Sequence, residues 1–235
     1  MKPSLFSPAR RCRFVILISG RGSNMQSIVQ ACREQAWPAE IAAVIANRAQ
    51  ASGLEWAAAQ DIPTAVVSHR DYPDRAAFDA ELARVIDTYE PDYVLLAGFM
   101  RILTERFVQR YAGRLVNIHP SLLPLFPGLA THRQALEAGV QVHGCTVHFV
   151  TPVLDHGPVI AQGVVPVREG DTEEALAERV LAVEHVVYPA VAAWLAQGRA
   201  ALDAHGRVAV QDVASRAFGL STDGAAQQYG GKDGI

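Results

Sequence analysis

The feature that most constrains the fold is the continuous apolar run Phe-Val-Ile-Leu-Ile-Ser at residues 14–19. A run of this length without polar alternation is typical of a parallel β-strand that is covered on both faces. A glycine-containing turn follows at residues 20–24, and the apolar residues after it recur at helical spacing. The chain therefore begins with a strand, a glycine loop and a helix, which form the repeating unit of an α/β sheet.

The same alternation of strands and helices continues along the chain. Apolar segments of strand length precede helical periodicities, and no internal repeat or linker separates two folded units. We therefore predict a single Rossmann-like α/β domain with a mostly parallel, twisted sheet and helices on both faces. The predicted strands are residues 14–19, 41–46, 64–67, 93–97, 115–119, 144–150 and 159–167, and the predicted helices lie at 25–32, 52–60, 73–89, 101–111, 131–138 and from 171 onwards.

Domain boundaries follow from composition. The 235 residues fit one large α/β unit. Residues 1–12 are expected to be a mobile N-terminal extension, and residues 13–200 form the predicted domain. Residues 201–235 are expected to be a C-terminal extension that begins with one weak hairpin at 202–213. From residue 214 onwards the chain is rich in Gly, Ala, Ser and Gln without periodicity, which predicts a largely disordered tail.

The stretch 115–124, Leu-Val-Asn-Ile-His-Pro-Ser-Leu-Leu-Pro, ends the fifth predicted strand with polar side chains. Pro120 stops this strand because proline has no backbone N–H. Asn117 and His119 are two positions apart, so they point to the same face at the carboxyl end, where ligands of open α/β sheets bind. An amide donor beside a proton-carrying imidazole suits acyl-type chemistry. The alternative is an ordinary polar strand end before a proline-rich turn.

The glycine loop after the first strand favours phosphate binding over dinucleotide binding. The Gly-x-Gly pattern has Met25 in place of a third glycine, and the second strand ends at Asn47 rather than at an acidic residue. A helix N-terminus presents free N–H groups and a partial positive charge. We therefore predict that Gly22, Ser23 and Asn24 hold one phosphate. A tight turn with a helix cap and no ligand is the alternative.

Two acidic residues in the second half of the chain are candidates for the same site. Asp155 lies in a loop, and a carboxylate near His119 would favour the imidazolium form, although loop aspartates are commonly solvated or cap turns. Glu184 lies inside the apolar stripe of the last predicted helix, where an unpaired carboxylate is costly. We expect Glu184 either to face a cleft and accept hydrogen bonds from hydroxyls or to form a buried pair with an arginine.

Composition and charge argue against several classes of function. A net charge of −3 gives no electrostatic case for nucleic acid, and no apolar run has the length of a membrane span. Three scattered cysteines predict no disulfide framework and a reducing, cytoplasmic setting. His143, His148 and His156 lie close together in sequence, but no metal-binding spacing accompanies them, so we predict no metal site. A monomer and a homodimer are both open.

Four stretches keep one order and spacing, namely residues 18–24, 96–103, 117–124 and 147–150 with 155–158. Together they resemble the formyltransferase superfamily, and within it the glycinamide ribonucleotide branch, the folate-dependent enzymes of purine synthesis. The Asn-x-His-Pro-Ser-Leu-Leu-Pro stretch with the later aspartate marks the superfamily. The Ser-Gly-x-Gly-Ser-Asn loop and the segment Pro-Gly-Leu-x-Thr-His at 127–132 narrow the resemblance to that branch.

The resemblance implies transfer of the formyl group of 10-formyltetrahydrofolate to the amine of phosphoribosylglycinamide in de novo purine synthesis. It implies small molecules as partners and no permanently bound cofactor, since the folate is a co-substrate. Asn117 and His119 would stabilise a tetrahedral intermediate, and Asp155 would assist proton transfer. The residues implied in binding are Gly22, Ser23, Asn24 and Glu184 for the ribonucleotide, and Arg75, Met100, Arg101, Ile102, Leu103, Asn117, Thr151 and Asp155 for the folate.

Three alternatives to this activity stay open. A methionyl-tRNA formyltransferase is expected to carry a further basic C-terminal domain, and a formyltetrahydrofolate hydrolase a further N-terminal regulatory domain. A non-catalytic phosphate- or folate-binding module is the third. Leu125 and Ala130 stand where many relatives carry polar residues in the loop after Pro124, which leaves the closure of that loop open.

Overall fold

The computed structural model describes residues 10–220 and 225–229, so residues 1–9 of the predicted N-terminal extension lie outside the described chain. The first strand begins at Cys12, one residue before the predicted domain boundary. The strands are β1 (Cys12–Ile18), β2 (Ala39–Ala46), β3 (Thr64–Val66), β4 (Tyr93–Leu96), β5 (Leu115–His119), β6 (Val142–Phe149), β7 (Val159–Pro166), β8 (Ala200–Leu202), β9 (Val208–Val210), β10 (Ala217–Leu220) and β11 (Ala226–Gln228). The helices are α1 (Ser23–Glu34), α2 (Ser52–Ala58), α3 (Arg75–Asp87), α4 (Glu105–Arg110), α5 (Thr131–Glu137) and α6 (Glu173–Ala196).

Nine of the described strands form one sheet in the order β11-β10-β7-β6-β5-β4-β1-β2-β3. The pairs β1–β2, β2–β3, β1–β4, β4–β5 and β7–β10 are parallel, whereas β5–β6, β6–β7 and β10–β11 are antiparallel. The predicted mostly parallel α/β sheet is therefore confirmed. The chain leaves β1 in one direction towards β3 and returns to its other side at β4. This reversal creates a crevice at the carboxyl ends of β1 and β4, where ligands of such sheets bind.

Both faces of the sheet are covered, as the continuous apolar runs predict. Successive residues of β1 point to opposite faces. Ile16 packs in the core that includes α1, α2, α5 and α6, and Leu17 packs in the core that includes α3 and α4. Both side chains are fully buried, which is worth about 1.5–3 kcal/mol each. The two cores hold the central strands rigidly beneath the crevice.

Helix α6 is the longest helix and packs along one face of the sheet. It begins after Thr172, whose hydroxyl accepts a hydrogen bond from Ala175 N, whereas Asp171 pairs with Arg179. Among the described helices, α6 alone is long and apolar enough to cross a membrane by length and composition, and 67% of its most apolar window is buried in the protein. The expectation of no segment of that length was therefore wrong for α6, whose apolar residues belong to the core.

The C-terminal segment differs from the disordered tail that its composition predicts. Strands β8 and β9 pair as the predicted hairpin, and β10 then joins the main sheet parallel to β7, with β11 beyond it. Phe218 of β10 is buried against Trp194 of α6, with ring centroids 6.0 Å apart. A buried aromatic pair and a free sheet edge offset the entropy of ordering this segment. Residues 221–224 and 230–235 of the predicted tail lie outside the described chain.

Sheet order, rather than chain order, decides which polar residues become neighbours. Leu96 at the end of β4 pairs with Asn117 of β5. On the other side of β5, Asn117 pairs with His148 of β6 and His119 pairs with Thr146. The glycine loop follows β1, which lies next to β4. The predicted site residues from distant parts of the sequence therefore meet at one edge of the sheet.

Candidate active site

The glycine loop after β1 forms a pocket with the segments that follow β2 and β4. Gly22 has a φ of 67°, a left-handed conformation that favours glycine, and no side chain caps the first N–H groups of α1. These free N–H groups, in a pocket that Arg21 and Arg48 also line, suit an anion. The pocket, called the glycine-loop pocket below, has a volume of about 310 Å³. It is lined by residues 19–24, Arg48, Ala97, Gly98 and Met100.

Asn24 connects the glycine loop to the buried carboxylate of Glu184. Asn24 Nδ2 donates a hydrogen bond to Glu184 Oε2 at 2.6 Å, and Glu184 is only 7% exposed. Burial raises the pKa of Glu184 to about 7, and the hydrogen bond from Asn24 opposes that rise. Within the described residues the partner of Glu184 is this amide, so the predicted buried pair with an arginine is not formed. Asn24 Oδ1 is buried without a hydrogen-bond partner among the described residues, which leaves it as an acceptor for a ligand hydroxyl.

His119 and Asp155 come together at the carboxyl end of β5. His119 Nδ1 lies 3.6 Å from Asp155 Oδ2, and both side chains are 7% exposed. His119 Nε2 lies 3.0 Å from the carbonyl oxygen of Phe126. Because a carbonyl only accepts, Nε2 carries a hydrogen in this arrangement. The distance between Nδ1 and the carboxylate exceeds a direct hydrogen bond, so the two groups interact through charge or through a bridging oxygen atom.

The backbone around Asp155 fixes the position of its carboxylate. Gly128 N donates a hydrogen bond to Asp155 Oδ2 at 2.9 Å, which links two separate loops. Asp155 itself has a φ of 52°, in the left-handed region. Two residues later, Gly157 packs so closely on β6 that a Cβ there would lie 1.6 Å from the carbonyl oxygen of Phe149. The loop therefore approaches the sheet at a point where only glycine fits.

His148 orients the amide of Asn117. Asn117 Nδ2 lies 3.3 Å from His148 Nε2, and His148 Nδ1 lies 3.0 Å from the carbonyl oxygen of Phe149. The carbonyl requires a hydrogen on Nδ1, so a neutral His148 accepts from the Asn117 amide through Nε2. Burial lowers the pKa of His148, which keeps the ring neutral and this assignment consistent. The second amide hydrogen of Asn117 stays available to a ligand.

The segment after β4 is held at both ends by buried acceptors. Met100 N donates to Ser19 Oγ at 2.8 Å, and Thr104 N donates to Asp79 Oδ2 at 2.6 Å. Between these two anchors Met100 and Ile102 are exposed, and Met100 lines the glycine-loop pocket. The segment therefore offers apolar surface and backbone groups directly beside that pocket.

Helix α3 and the loop after β6 flank this segment. Arg101 lies over Phe78 of α3, with its Cζ 5.7 Å from the ring centroid. Arg75 is exposed at the first position of α3. Thr151 Oγ1 donates to the carbonyl oxygen of Val153 at 3.2 Å, so its hydroxyl shapes the loop that leads to Asp155.

Two further histidines, His132 and His143, lie beside this corner of the sheet. The His132 and His143 rings lie edge to face with centroids 5.2 Å apart, and Phe126 packs on His143. Burial lowers the pKa of His143 to about 4, so its ring is neutral near pH 7. Among the residues that the structure describes, no three His, Cys, Asp or Glu side chains are arranged to hold a metal ion.

The structure brings most of the predicted site residues into two groups. Asn117, His119 and Asp155 lie at the end of β5, and Gly22, Ser23, Asn24 and Glu184 lie at the glycine loop and α6. Met100 of the segment 100–103 touches the glycine-loop pocket between them. Within the described chain, no recorded contact joins Arg75 or Thr151 to either group.

Sequence reasoning did not identify the partners of two residues that support this site. His148 lies opposite Asn117 only because β6 runs antiparallel to β5, and a polar residue within a buried strand was the available signal. Asp79 is a buried acid on α3, and its helical periodicity offered the same signal. Neither signal names a partner, because both contacts cross between elements that are distant in sequence.

Comparison with known proteins gives consistent findings. The family profile described as Formyl transferase matches residues 12–192. The chain is 54% identical over 185 residues to a phosphoribosylglycinamide formyltransferase of Escherichia coli (strain K12), covering 79% of this chain and 87% of that protein. It is also 46% identical over 199 residues to the trifunctional purine biosynthetic protein adenosine-3 of Homo sapiens, covering 85% of this chain but only 20% of that protein.

Solved structures agree in fold. A phosphoribosylglycinamide formyltransferase from Coxiella burnetii superposes with a TM-score of 0.81 at 43% identity, covering 94% of this chain and 98% of that chain. A formyltetrahydrofolate deformylase from Pseudomonas syringae pv. tomato superposes with a TM-score of 0.80 at 30% identity, covering 87% of this chain and 67% of that chain. The same architecture therefore occurs in a transferase and in a hydrolase.

Proposed function

This chain belongs to the formyl transferase family, and we propose that it transfers the formyl group of 10-formyltetrahydrofolate to the amine of phosphoribosylglycinamide in purine biosynthesis. The observation that carries the proposal is the approach of Asp155 Oδ2 to within 3.6 Å of His119 Nδ1. This pair lies at the same sheet edge as a pocket suited to one phosphate. Similarity to named transferases over most of their length supports the same activity.

The ribonucleotide is assigned to the glycine-loop pocket. The uncapped N–H groups at Gly22, Ser23 and Asn24 would bind its phosphate, because a helix N-terminus carries a partial positive charge. Glu184 would accept hydrogen bonds from the ribose hydroxyls as a carboxylate. Bringing those hydroxyls to a desolvated carboxylate favours its charged form and so supplies the donors that Glu184 lacks in the free protein.

The folate is assigned to the cleft between the segment after β4 and the loop that ends at Asp155. Met100, Arg101, Ile102 and Leu103 would contact its rings through apolar surface and backbone groups, with Arg75 at the exposed mouth. Thr151 and Asp155 would close the opposite wall, and Asn117 would reach the formyl group from below. No permanently bound cofactor enters this scheme, since the folate is consumed as a co-substrate.

The chemistry follows from the groups at the end of β5. The substrate amine attacks the formyl carbon, and the carbonyl oxygen becomes a tetrahedral oxyanion. The free amide hydrogen of Asn117 and a protonated His119 donate to this oxygen, and Asp155 stabilises the imidazolium. Asp155 also orients a water molecule that carries the proton from the attacking amine to the folate nitrogen. The bond between the formyl carbon and that nitrogen then breaks.

A steady-state assay tests the activity. The purified protein is incubated with 10-formyltetrahydrofolate, with and without phosphoribosylglycinamide, and folate release and product are measured. We expect folate release only when the ribonucleotide is present, with one molecule of formylated product formed for each folate released. Folate release with water alone would instead indicate the deformylase reaction, and binding without turnover would indicate a non-catalytic module.

Substitution of the oxyanion donors tests the assigned roles. Asn117→Ala and His119→Ala are each expected to lower kcat by ~100- to 1000-fold, because one preorganised donor to the oxyanion is lost. Circular dichroism and thermal unfolding check that both variants fold. A near wild-type kcat for either variant would contradict its assignment.

We propose that the reaction takes place in the cytoplasm. All three cysteines are free and buried, which fits a reducing compartment such as the cytoplasm. We propose small-molecule substrates as the partners, without nucleic acid or membrane, in a monomer or a homodimer. Sedimentation velocity at assay concentration distinguishes the two assembly states.

A further inference from the structure

We infer that Gln162, backed by the C-terminal strand β10, is a positioning residue for the turn that carries the catalytic histidine. Gln162 lies on β7, two strands away from β5 in the sheet. Its Nε2 donates hydrogen bonds to the carbonyl oxygen of Leu123 at 2.9 Å and to Thr146 Oγ1 at 3.0 Å. Leu123 belongs to the turn that directly follows His119 and Pro120. The amide of Gln162 therefore anchors this turn to β7 and β6 by hydrogen bonds.

The hydrogen bonds around Thr146 leave no freedom in the orientation of the Gln162 amide. Thr146 Oγ1 donates to the carbonyl oxygen of Ser121 at 2.7 Å and accepts from Leu123 N at 3.0 Å. With its single hydrogen used, the hydroxyl can only accept from Gln162, and the Leu123 carbonyl also only accepts. Both contacts therefore require the NH₂ side of the amide. Both hydrogens of the Gln162 amide and the hydroxyl hydrogen of Thr146 are used, and hydrogen-bond networks of this kind rigidify the groups they join.

Backbone pairing connects this network to the C-terminal segment. His119, Thr146 and Gln162 are neighbours in register on β5, β6 and β7, and Ala217 of β10 is the next neighbour. Gln162 N donates to the carbonyl oxygen of Arg216 at 3.0 Å. Strand β10 thus occupies the edge of β7 at the level of Gln162. The segment that composition assigns to a disordered tail becomes an outer support of the catalytic corner.

The turn that Gln162 contacts also contacts His119 and Asp155, the catalytic pair. Three residues after Leu123, the carbonyl oxygen of Phe126 contacts His119 Nε2. Two residues later, Gly128 N donates to Asp155 Oδ2. Loss of the hydrogen bond from Gln162 to the Leu123 carbonyl therefore loosens the groups that orient His119 and Asp155. The glycine-loop pocket is not affected. The catalytic part of this inference rests on the proposed function, whereas the ordering of the turn does not.

The test replaces Gln162 by side chains without the NH₂ donor. Gln162→Met keeps the length of the side chain, and Gln162→Glu sets a carboxylate against two acceptors. We expect kcat to fall by about tenfold in Gln162→Met and further in Gln162→Glu, because one or two hydrogen bonds are lost. The KM for phosphoribosylglycinamide is expected to stay within twofold, since its pocket lies across the cleft. The control is Gln30→Met, an exposed glutamine on α1, with unchanged kcat and KM.

A second measurement needs no substrate. Amide hydrogen exchange in the peptide covering residues 120–130 is expected to speed up about tenfold in both Gln162 variants, while the central strands β1 and β4 keep their protection. Phe218→Ala, which removes the side chain that packs β10 on Trp194, is expected to speed up exchange in the same peptide. Unchanged exchange there in Gln162→Met would overturn the inference. If the wild-type protein shows no formyl transfer, the proposed function fails, while the exchange result still decides the role of Gln162.

A fall in kcat accompanied by an equal rise in the KM for the ribonucleotide would also overturn the inference. Such a result would indicate general loosening of the fold rather than positioning of the turn. Thermal unfolding of each variant serves as the reference for that distinction, and Gln162→Met is expected to unfold within a few degrees of the wild-type protein.

Discussion

Two shielded carboxylates belong to different groups of the candidate site, since Asp155 lies beside His119 and Glu184 lies beside Asn24 of the glycine loop. The side chain of Asp155 and the whole residue Glu184 are both 7% exposed. Asp155 lies beside an imidazole and accepts a backbone N–H from Gly128. Glu184 has one neutral amide as its partner, and its pKa is raised to about 7 by burial. The two shielded carboxylates therefore differ in chemistry because their partners differ.

The difference in partners indicates different roles for the two carboxylates. A carboxylate beside a group that can become a cation stabilises that cation when it forms, which suits a role in proton transfer. A carboxylate with too few donors is poised to gain them from a ligand, which suits a role in binding. The following substitutions test whether the two acids can be told apart in this way, beginning with the largest expected effect.

Asp155→Asn is expected to lower kcat by ~100- to 1000-fold while the KM for phosphoribosylglycinamide changes little. The amide keeps the shape of the side chain and can still accept from Gly128, but it removes the negative charge beside His119. Steady-state kinetics at pH 7.5 measures both constants. Asp61→Asn is the matched control, because Asp61 is exposed and has a left-handed φ of 58°, as in the Asp155 loop. A large rise in KM with normal kcat would reverse the assignment.

Glu184→Gln is expected to stabilise the protein at about pH 8 by up to about 3 kcal/mol. The pKa of Glu184 rises from 4.5 to about 7 on folding, so the folded state binds more protons than the unfolded state in that interval. Stability therefore falls as the pH rises from about 4.5 through 7, and a glutamine removes this loss. Urea unfolding at several pH values measures the difference, which should vanish below pH 4.5. Glu178→Gln, at an exposed position on the same helix, should show no such trend.

The same Glu184→Gln variant is expected to raise the KM for phosphoribosylglycinamide by about tenfold with nearly unchanged kcat. A neutral amide accepts more weakly from ribose hydroxyls than a carboxylate does. Titration calorimetry with the ribonucleotide alone provides a direct check. Loss of kcat at saturating substrate would mean that Glu184 takes part in the chemistry, and the contrast with Asp155 would then fail.

At neutral pH the burial of His143 gives the smallest effect in this set, and its contribution to stability has the opposite dependence on pH. Its pKa falls from 6.5 to about 4 on folding, so the unfolded state binds more protons between these values. Stability therefore falls as the pH drops from 6.5 towards 4. His143→Phe is expected to reduce this fall in the free energy of unfolding between pH 6.5 and 4, as measured by urea unfolding. The larger ring lowers the stability by a similar amount at every pH. An unchanged pH dependence of stability below pH 6.5 would show that His143 does not cause it.

The parallel half of the fold is readable from sequence, and the antiparallel half is less so. The run at 14–19 predicts a doubly covered strand by itself, and α/β rules then supply the sheet. Asn117 and His119 follow from strand spacing alone. The approach of Asp155 depends on the position of β6 and of a loop with left-handed residues, and no local pattern specifies such a long-range contact. The residues made Asp155 a candidate only, and its catalytic role was implied by the resemblance to a family.

Composition predicted the hairpin at β8 and β9 but failed for β10. A segment rich in Gly, Ala, Ser and Gln has little apolar area, and its order depends on Phe218 and on the vacant edge of β7. Both are tertiary features. The partner of Glu184 could not be predicted for the same reason. The sequence of α6 does not distinguish an amide of α1 from an arginine elsewhere as the group that contacts Glu184.

The close contact at Gly157 has a consequence for sequence change in this protein. Any side chain there would collide with the Phe149 carbonyl and lift the neighbouring loop away from the sheet. The displacement would widen the gap between Asp155 and His119, although Gly157 itself meets no reactant. In a saturation-mutagenesis map, this position should tolerate replacement as poorly as the acid it supports.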